Sequence, residues 1–281
     1  MNIMYGFIIV FTLLIGTNTN AYAVSPILKV SDKRTIEFMQ FIEDIERSDV
    51  IFIGETHDVR KQHDNQLDII RSLNARKVPL AIGLEMFSAD SQQQLDDWSK
   101  GKLDEQEFRI IYAKNWSYDW QLYRDIFIFA RDHHIPMIAL NVPKPIISKV
   151  MRQGSAALDD TDKKELPPHI SWTLNPPQTE YLRRVTAQVF GNKPAVIPFA
   201  RFCEAQALRN NAIAWNISKY RENSPKSKVI AITGTWHAIK NGAPEQLKQY
   251  GSLNYKVILP ELPEFVIQNV TPDEADYFIL K

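Results

Sequence analysis

Apolar residues in this chain gather into short unbroken runs. Val50-Ile51-Phe52-Ile53, Pro79-Leu80-Ala81-Ile82 and Val229-Ile230-Ala231-Ile232 each stop at or near a glycine and give way to polar residues. Such runs are what strands buried on both faces look like, and longer amphipathic segments lie between them. Read in order, the periods predict a strand over 50–53, a helix over 60–75, a strand over 79–84, helices within 89–131 and a strand over 136–140. In the first of these helices His63, Gln66, Leu67, Ile70 and Leu73 recur at three- and four-residue steps, which turns His63 inward. From Pro143 to Pro198 the strand signal lapses, and Pro167-Pro168 and Pro176-Pro177 punctuate polar and helical pieces, so a helical insertion is expected over about 144–200. The rhythm resumes with a helix over 201–219 and strands over 228–233, 255–259 and 276–280. The expected fold class is α/β, a mostly parallel central sheet flanked by helices, with that insertion as a helical subdomain.

Composition adds three points. A chain of 281 residues, 44% hydrophobic, can bury a full core, and its 33 basic and 33 acidic side chains cancel without a long block of one sign, which argues against nucleic acid as a partner. The apolar stretch from Gly6 to Gly16 is short for a bilayer span and is followed by Ala21-Tyr22-Ala23. This is the form of an export leader over residues 1–23, cleaved after Ala23, that delivers residues 24–281 to the periplasm; an uncleaved membrane anchor or a buried N-terminal helix is the alternative, because no Lys or Arg precedes the apolar stretch. Cys203 is the sole cysteine, so no internal disulfide forms, and its helical surroundings suggest packing rather than nucleophilic chemistry.

The candidate chemistry lies where the apolar runs end. Gly54-Glu55-Thr56-His57 and Gly234-Thr235-Trp236-His237 share a Gly-x-x-His arrangement, and Gly83-Leu84-Glu85 puts a carboxylate at the corresponding place. Ligands of open α/β sheets bind outside the carboxyl ends of the strands, where loops converge. Glu55, His57, Glu85 and His237 are therefore expected at one polar site, suited to bind a divalent metal, to act as acid and base, or to ligate haem iron. Each glycine is expected to permit a sharp turn out of its strand. Asn141, just past the strand over 136–140, is expected on the same rim. His133 and His134 fall at the opposite end of a strand and read as a solvated helix terminus. Trp116, Tyr118, Trp120, Tyr123 and Phe127 read as core, although Tyr118 and Tyr123 are phenols of the kind that ligate ferric haem.

These motifs resemble those of the ChaN-like haem-binding uptake family, a branch of the Tiki/erythromycin-esterase-like superfamily. The resemblance is carried by Gly54-Glu55-Thr56-His57-Asp58 with His63 and Gln66, by Gly83-Leu84-Glu85-Met86-Phe87 with Gln94-Leu95-Asp96, by Ile138-Ala139-Leu140-Asn141-Val142-Pro143, by Glu204-Ala205-Gln206-Ala207-Leu208-Arg209 and by Gly234-Thr235-Trp236-His237. It implies an α/β core with a helical subdomain and haem bound between apolar faces for bacterial haem and iron uptake. It further implies a haem-bridged homodimer and an outer-membrane iron-uptake receptor as partners. Tyr123, Tyr118, His63, Gln66 and Asn141 are the residues expected around the cofactor. ChaN-like proteins include lipoproteins, whereas the one cysteine here lies far from the leader. In the wider superfamily the same motifs belong to metal-dependent peptidases and hydrolases. The alternative implied function is thus a metal-dependent hydrolase, acting on peptides, esters or amides, in which Glu55, His57, Glu85 and His237 hold the metal and a glutamate activates its water.

Overall fold

The computed structural model describes residues 25–190 and 197–281; the leader expected over residues 1–23 lies outside them. Its strands are β1 Ile27–Lys29, β2 Arg34–Ile36, β3 Val50–Glu55, β4 Leu80–Ser88, β5 Met137–Asn141, β6 Lys228–Gly234, β7 Tyr255–Pro260 and β8 Tyr277–Ile279. Its helices are α1 Phe38–Ile45, α2 Arg60–Ala75, α3 Gln92–Ser99, α4 Glu105–Asn115, α5 Trp120–Asp132, α6 Lys144–Gln153, α7 Asp160–Lys164, α8 Pro176–Phe190, α9 Phe199–Asn223, α10 Thr235–Ala238 and α11 Ala243–Gln246. The segment expected as a helical insertion holds α6, α7 and α8, with no strand among its described residues.

The strands form one sheet in the order β2-β1-β8-β7-β3-β6-β4-β5. Every pair from β8 to β5 is parallel, and only the pairings of β1 with β2 and with β8 are antiparallel. Apart from exposed Pro79, the runs that predicted buried strands are buried, and so is every residue of β3 and of β4. Side chains alternate between faces along each strand. Ile51, Ile53, Ile82, Leu84, Ile230 and Ile232 pack with Leu67, Leu73, Phe127 and Tyr123 on the face covered by α2 and α5. Val50, Phe52, Ala81, Val229 and Ala231 pack with Leu182, Ile213 and Ala238 on the face covered by α8, α9 and α10. A third cluster, Val142, Ile146, Val150, Leu158, Ala205, Leu208 and Ala212, joins α6 to α9.

Two departures from the sequence reading matter for the site. β4 runs on to Ser88, so Glu85 stands inside the strand rather than just past it. At the other end of the chain β1, β2 and α1 form an edge that the apolar periods do not announce, because three-residue strands give too few alternations to read. Adjacent strands β3 and β6 send the chain in opposite directions, β3 into α2 on one face and β6 into α10 on the other. Such a divergence opens a crevice at the carboxyl ends of the two strands.

Candidate functional site

Register brings the polar strand ends together. Glu55 lies opposite Gly234 in the β3–β6 pairing, and Leu84, next to Glu85, lies opposite Ile232 in the β4–β6 pairing. Alternation then sends the two carboxylates to opposite faces: Glu55 shares the parity of Ile51 and Ile53, and Glu85 that of Ala81.

Glu55 reaches the α2–α5 side and is fully engaged there. His57 Nδ1 lies 2.9 Å from its Oε1, Gln66 Nε2 donates to Oε2 at 2.8 Å, and the Tyr123 hydroxyl donates to Oε1. His63 stands 3.4 Å from Oε2 with Nδ1 and holds the His57 carbonyl with Nε2 at 3.2 Å. Burial disfavours the charge on Glu55, yet the hydrogen bonds and positive charge of His57 and His63 hold it down at about 2. In return, and against the effect of burial, Glu55 raises the pKa of both histidines, Glu85 adding to the effect at His57. Tyr123 is pushed well above the usual phenol range, first by burial and then by the Glu55 charge.

Glu85 reaches the α9 side, where Arg209 donates to Oε1 and the Gly234 N–H donates to Oε2 at 2.5 Å. Burial opposes its charge, but Arg209 keeps the carboxyl below its ordinary value. Asn141 donates to the Glu85 carbonyl at 3.1 Å and so ties β5 to β4 at this point. His237 Nε2 lies 3.8 Å from Glu85 Oε1, and its Nδ1 meets Asn210 Oδ1 at 2.7 Å. Burial first, then the Arg209 charge, push His237 down to about 3, so its ring is neutral.

The glycines act by close approach rather than by turning the chain. Neither Gly54 nor Gly234 has a positive φ. A Cβ on Gly234 would stand 2.9 Å from His57 Cε1, and one on Gly54 would stand 2.8 Å from Leu259 Cδ2 and 3.3 Å from the Thr235 backbone. The missing side chains admit the His57 ring and helix α10.

His57 reaches the surface end of the crevice, its side chain 23% exposed, with the rings of Trp116 and Tyr118 centred 4.8 and 5.0 Å from its own. The aromatic group read as core is therefore divided. Trp120, Tyr123 and Phe127 are core, while Trp116 and Tyr118 flank His57. Tyr123 cannot serve as an open haem ligand, because it is 1% exposed and already donates to Glu55. His63 and Gln66, expected near the cofactor, are instead buried behind Glu55 as its supports. His133 and His134 are exposed at the far end of the sheet, and His169 is exposed as well. Cys203 is half-buried and its thiol is raised by that burial.

The expected metal-ligand set also changes. Among the described residues no group of three or more His, Cys, Asp or Glu side chains is placed to hold a metal ion. The physical reason is visible in the hydrogen bonds. Glu55 is occupied by His57, Gln66 and Tyr123, and Glu85 by Arg209 and a backbone N–H, so Glu55, His57, Glu85 and His237 share a site as two separately satisfied pairs. Three of the residues that build it, Arg209, Asn210 and Gln178, whose side-chain oxygen accepts from Asn210 Nδ2 at 3.0 Å, were given no role by the sequence. Arg209 closes a motif that carries the family resemblance, which was its one signal; Asn210 and Gln178 offered none.

Comparison with known proteins places this architecture. The fold is similar to that of ChaN of Campylobacter jejuni, which binds haem cofacially: TM-score 0.72 at 17% identity, covering 91% of this chain and 96% of that one. An erythromycin esterase in its open conformation is similar at TM-score 0.50 and 12% identity, covering 83% of this chain and 76% of the other. At these identities the likeness is one of fold. The chloroplastic Protein RETICULATA-RELATED 5 of Arabidopsis thaliana is 26% identical over 122 residues, which are 41% of this chain and only 16% of that much longer relative. The family described as haem-binding uptake, Tiki superfamily, ChaN, matches residues 41–247, from α1 past the end of α11, and the chain belongs to that family.

Proposed function

We propose that this protein is an exported haem-binding protein of bacterial haem and iron uptake, and that haem docks on the rim formed by His57, Trp116 and Tyr118. The observation that carries this reading is the position of Tyr118. It is 37% exposed, the one exposed tyrosine among the described residues, and it stands against His57 and Trp116 at the mouth of the crevice. A ferric haem iron would be held here through a phenol oxygen. Tyr118 offers that oxygen, and Trp116 offers an apolar ring beside it. Burial and the nearby charges of Asp58, Glu55 and Glu85 raise the Tyr118 pKa, so the phenol keeps its proton in the free protein. His57, oriented by Glu55, serves as a fixed hydrogen-bonding group next to the ligand. A macrocycle on an open rim keeps one face bare, which suits a second copy of the chain and a haem-bridged homodimer. Transfer to or from an outer-membrane iron-uptake receptor is the corresponding physiological partnership, and periplasmic location follows from the leader read in the sequence.

The test is a haemin titration of the mature chain followed by its Soret band. Wild type and Tyr123→Phe are expected to give saturable binding with a high-spin ferric phenolate spectrum, and Tyr118→Phe to lose that spectrum and bind at least about tenfold more weakly, roughly 1.4 kcal/mol. Unchanged binding in Tyr118→Phe would overturn the assignment of the rim.

A further inference from the structure

Behind the rim, helices α8 and α9 supply a chain of amides that ends on His237. Gln178 Nε2 donates to the Trp236 carbonyl at 2.9 Å, Asn210 Nδ2 donates to Gln178 Oε1 at 3.0 Å, and Asn210 Oδ1 lies 2.7 Å from His237 Nδ1. All three side chains are buried: Gln178 is 1%, Asn210 0% and His237 2% exposed.

The direction of this chain follows from its first member. A backbone carbonyl only accepts, so the Gln178 amide must turn its NH2 toward Trp236. Its oxygen then faces Asn210 and requires a donor, which places the Asn210 NH2 there. The Asn210 oxygen is left facing His237, and Nδ1 has to carry the proton. Each amide orientation is thereby dictated by its neighbour, back to an atom whose role is not in question. In a neutral imidazole a proton on Nδ1 leaves Nε2 as a lone pair. Nε2 lies 3.8 Å from Oε1 of Glu85, which is itself an acceptor and so supplies it no proton.

We propose that Gln178 and Asn210 are positioning residues that hold His237 as its Nδ1–H tautomer, so that Nε2 presents an acceptor beside the Glu85–Arg209 pair. A group that enters this corner of the crevice is met by a lone pair and must bring an N–H or O–H of its own. The inference does not depend on haem docking, because none of these residues belongs to the rim. It also explains why two amide side chains are carried fully buried at the junction of α8, α9 and α10: a buried polar chain is tolerated when every member is satisfied.

Tautomers are read directly from the 15N shifts and long-range 1H–15N pattern of the histidine ring in the full chain. Wild type is expected to show His237 with Nδ1 protonated and Nε2 bare. Asn210→Leu should convert the ring to a mixture of tautomers, Gln178→Leu should do so to a lesser degree by freeing Asn210 to rotate, and Asn210→Asp should restore the Nδ1–H form because it keeps an acceptor in place. A wild-type ring protonated at Nε2 overturns the proposal, and this measurement needs no variant to fold. So does a single unchanged tautomer in well-dispersed Asn210→Leu, or an Asn210→Asp ring indistinguishable from that of Asn210→Leu.

Discussion

Glu55 and Glu85 are equally buried carboxylates on strands separated only by β6, yet their surroundings obey different rules. Around Glu55 the positive charge comes from His57 and His63, whose own protonation the carboxylate promotes, and two neutral groups, Gln66 and Tyr123, complete its shell. Around Glu85 the charge comes from the Arg209 guanidinium, and the neighbouring histidine is kept neutral. One half of the site responds to pH and opens on the rim through His57. The other is an ion pair held by α9, with the buried amides of Gln178 and Asn210 behind its histidine. A carboxylate at a strand end is thus not one kind of feature: the partner helix decides whether it becomes part of a titrating centre or a fixed one.

The largest expected effect follows from breaking the Arg209–Glu85 pair. Arg209→Met leaves the Glu85 charge buried without its counterion and should lower unfolding free energy by about 3–5 kcal/mol in a denaturant titration; a loss under about 1 kcal/mol would mean that the pair is not the anchor of α9. Next in size is Tyr123→Phe, which removes one hydrogen bond to a buried carboxylate and should cost about 1.5–3 kcal/mol, whereas Tyr118→Phe, on the rim, should stay within about 0.5 kcal/mol. Equal costs at the two tyrosines would erase the distinction between core and rim.

The smallest effect per step is the pH dependence, at most about 1.4 kcal/mol per pH unit for each group. Glu55, held at about 2 against an ordinary 4.5, contributes stability that is present above pH 4.5 and is lost as pH falls toward 2. His237, held at about 3 against 6.5, must bury a charge in acid, so stability rises with pH from about 3 to 6.5. His57 and His63 have raised values, and the stability they contribute is complete below pH 6.5 and is lost as pH rises through their folded values. Thermal melts across pH should therefore show a maximum near 6.5. His237→Gln should flatten its acid limb alone, and Glu55→Gln should also remove the decline on the alkaline side. An alkaline decline that survives Glu55→Gln would assign it to groups outside this centre.

The apolar runs at 50–53, 79–84 and 228–233 were legible as parallel strands because burial on both faces leaves no polar alternation, and their abrupt polar ends marked the edge where Glu55, His57, Glu85 and His237 gather. The parity of Glu55 with Ile53, and of Glu85 with Ala81, was also present in the chain. What it did not contain was the insertion of β6 between β3 and β4, which is a matter of long-range pairing and converts that parity into two carboxylates on opposite faces. Arg209, Gln178 and Asn210 enter the site from helices whose local patterns resemble ordinary packing, and Tyr123 turned from prospective ligand to buried donor once α5 was laid over Glu55. Local periodicity determined the elements and the edge on which the chemistry sits. Only the tertiary structure decided which partner each charge meets, because hydrogen bonds and ion pairs act across a few ångströms of space whatever the separation along the chain.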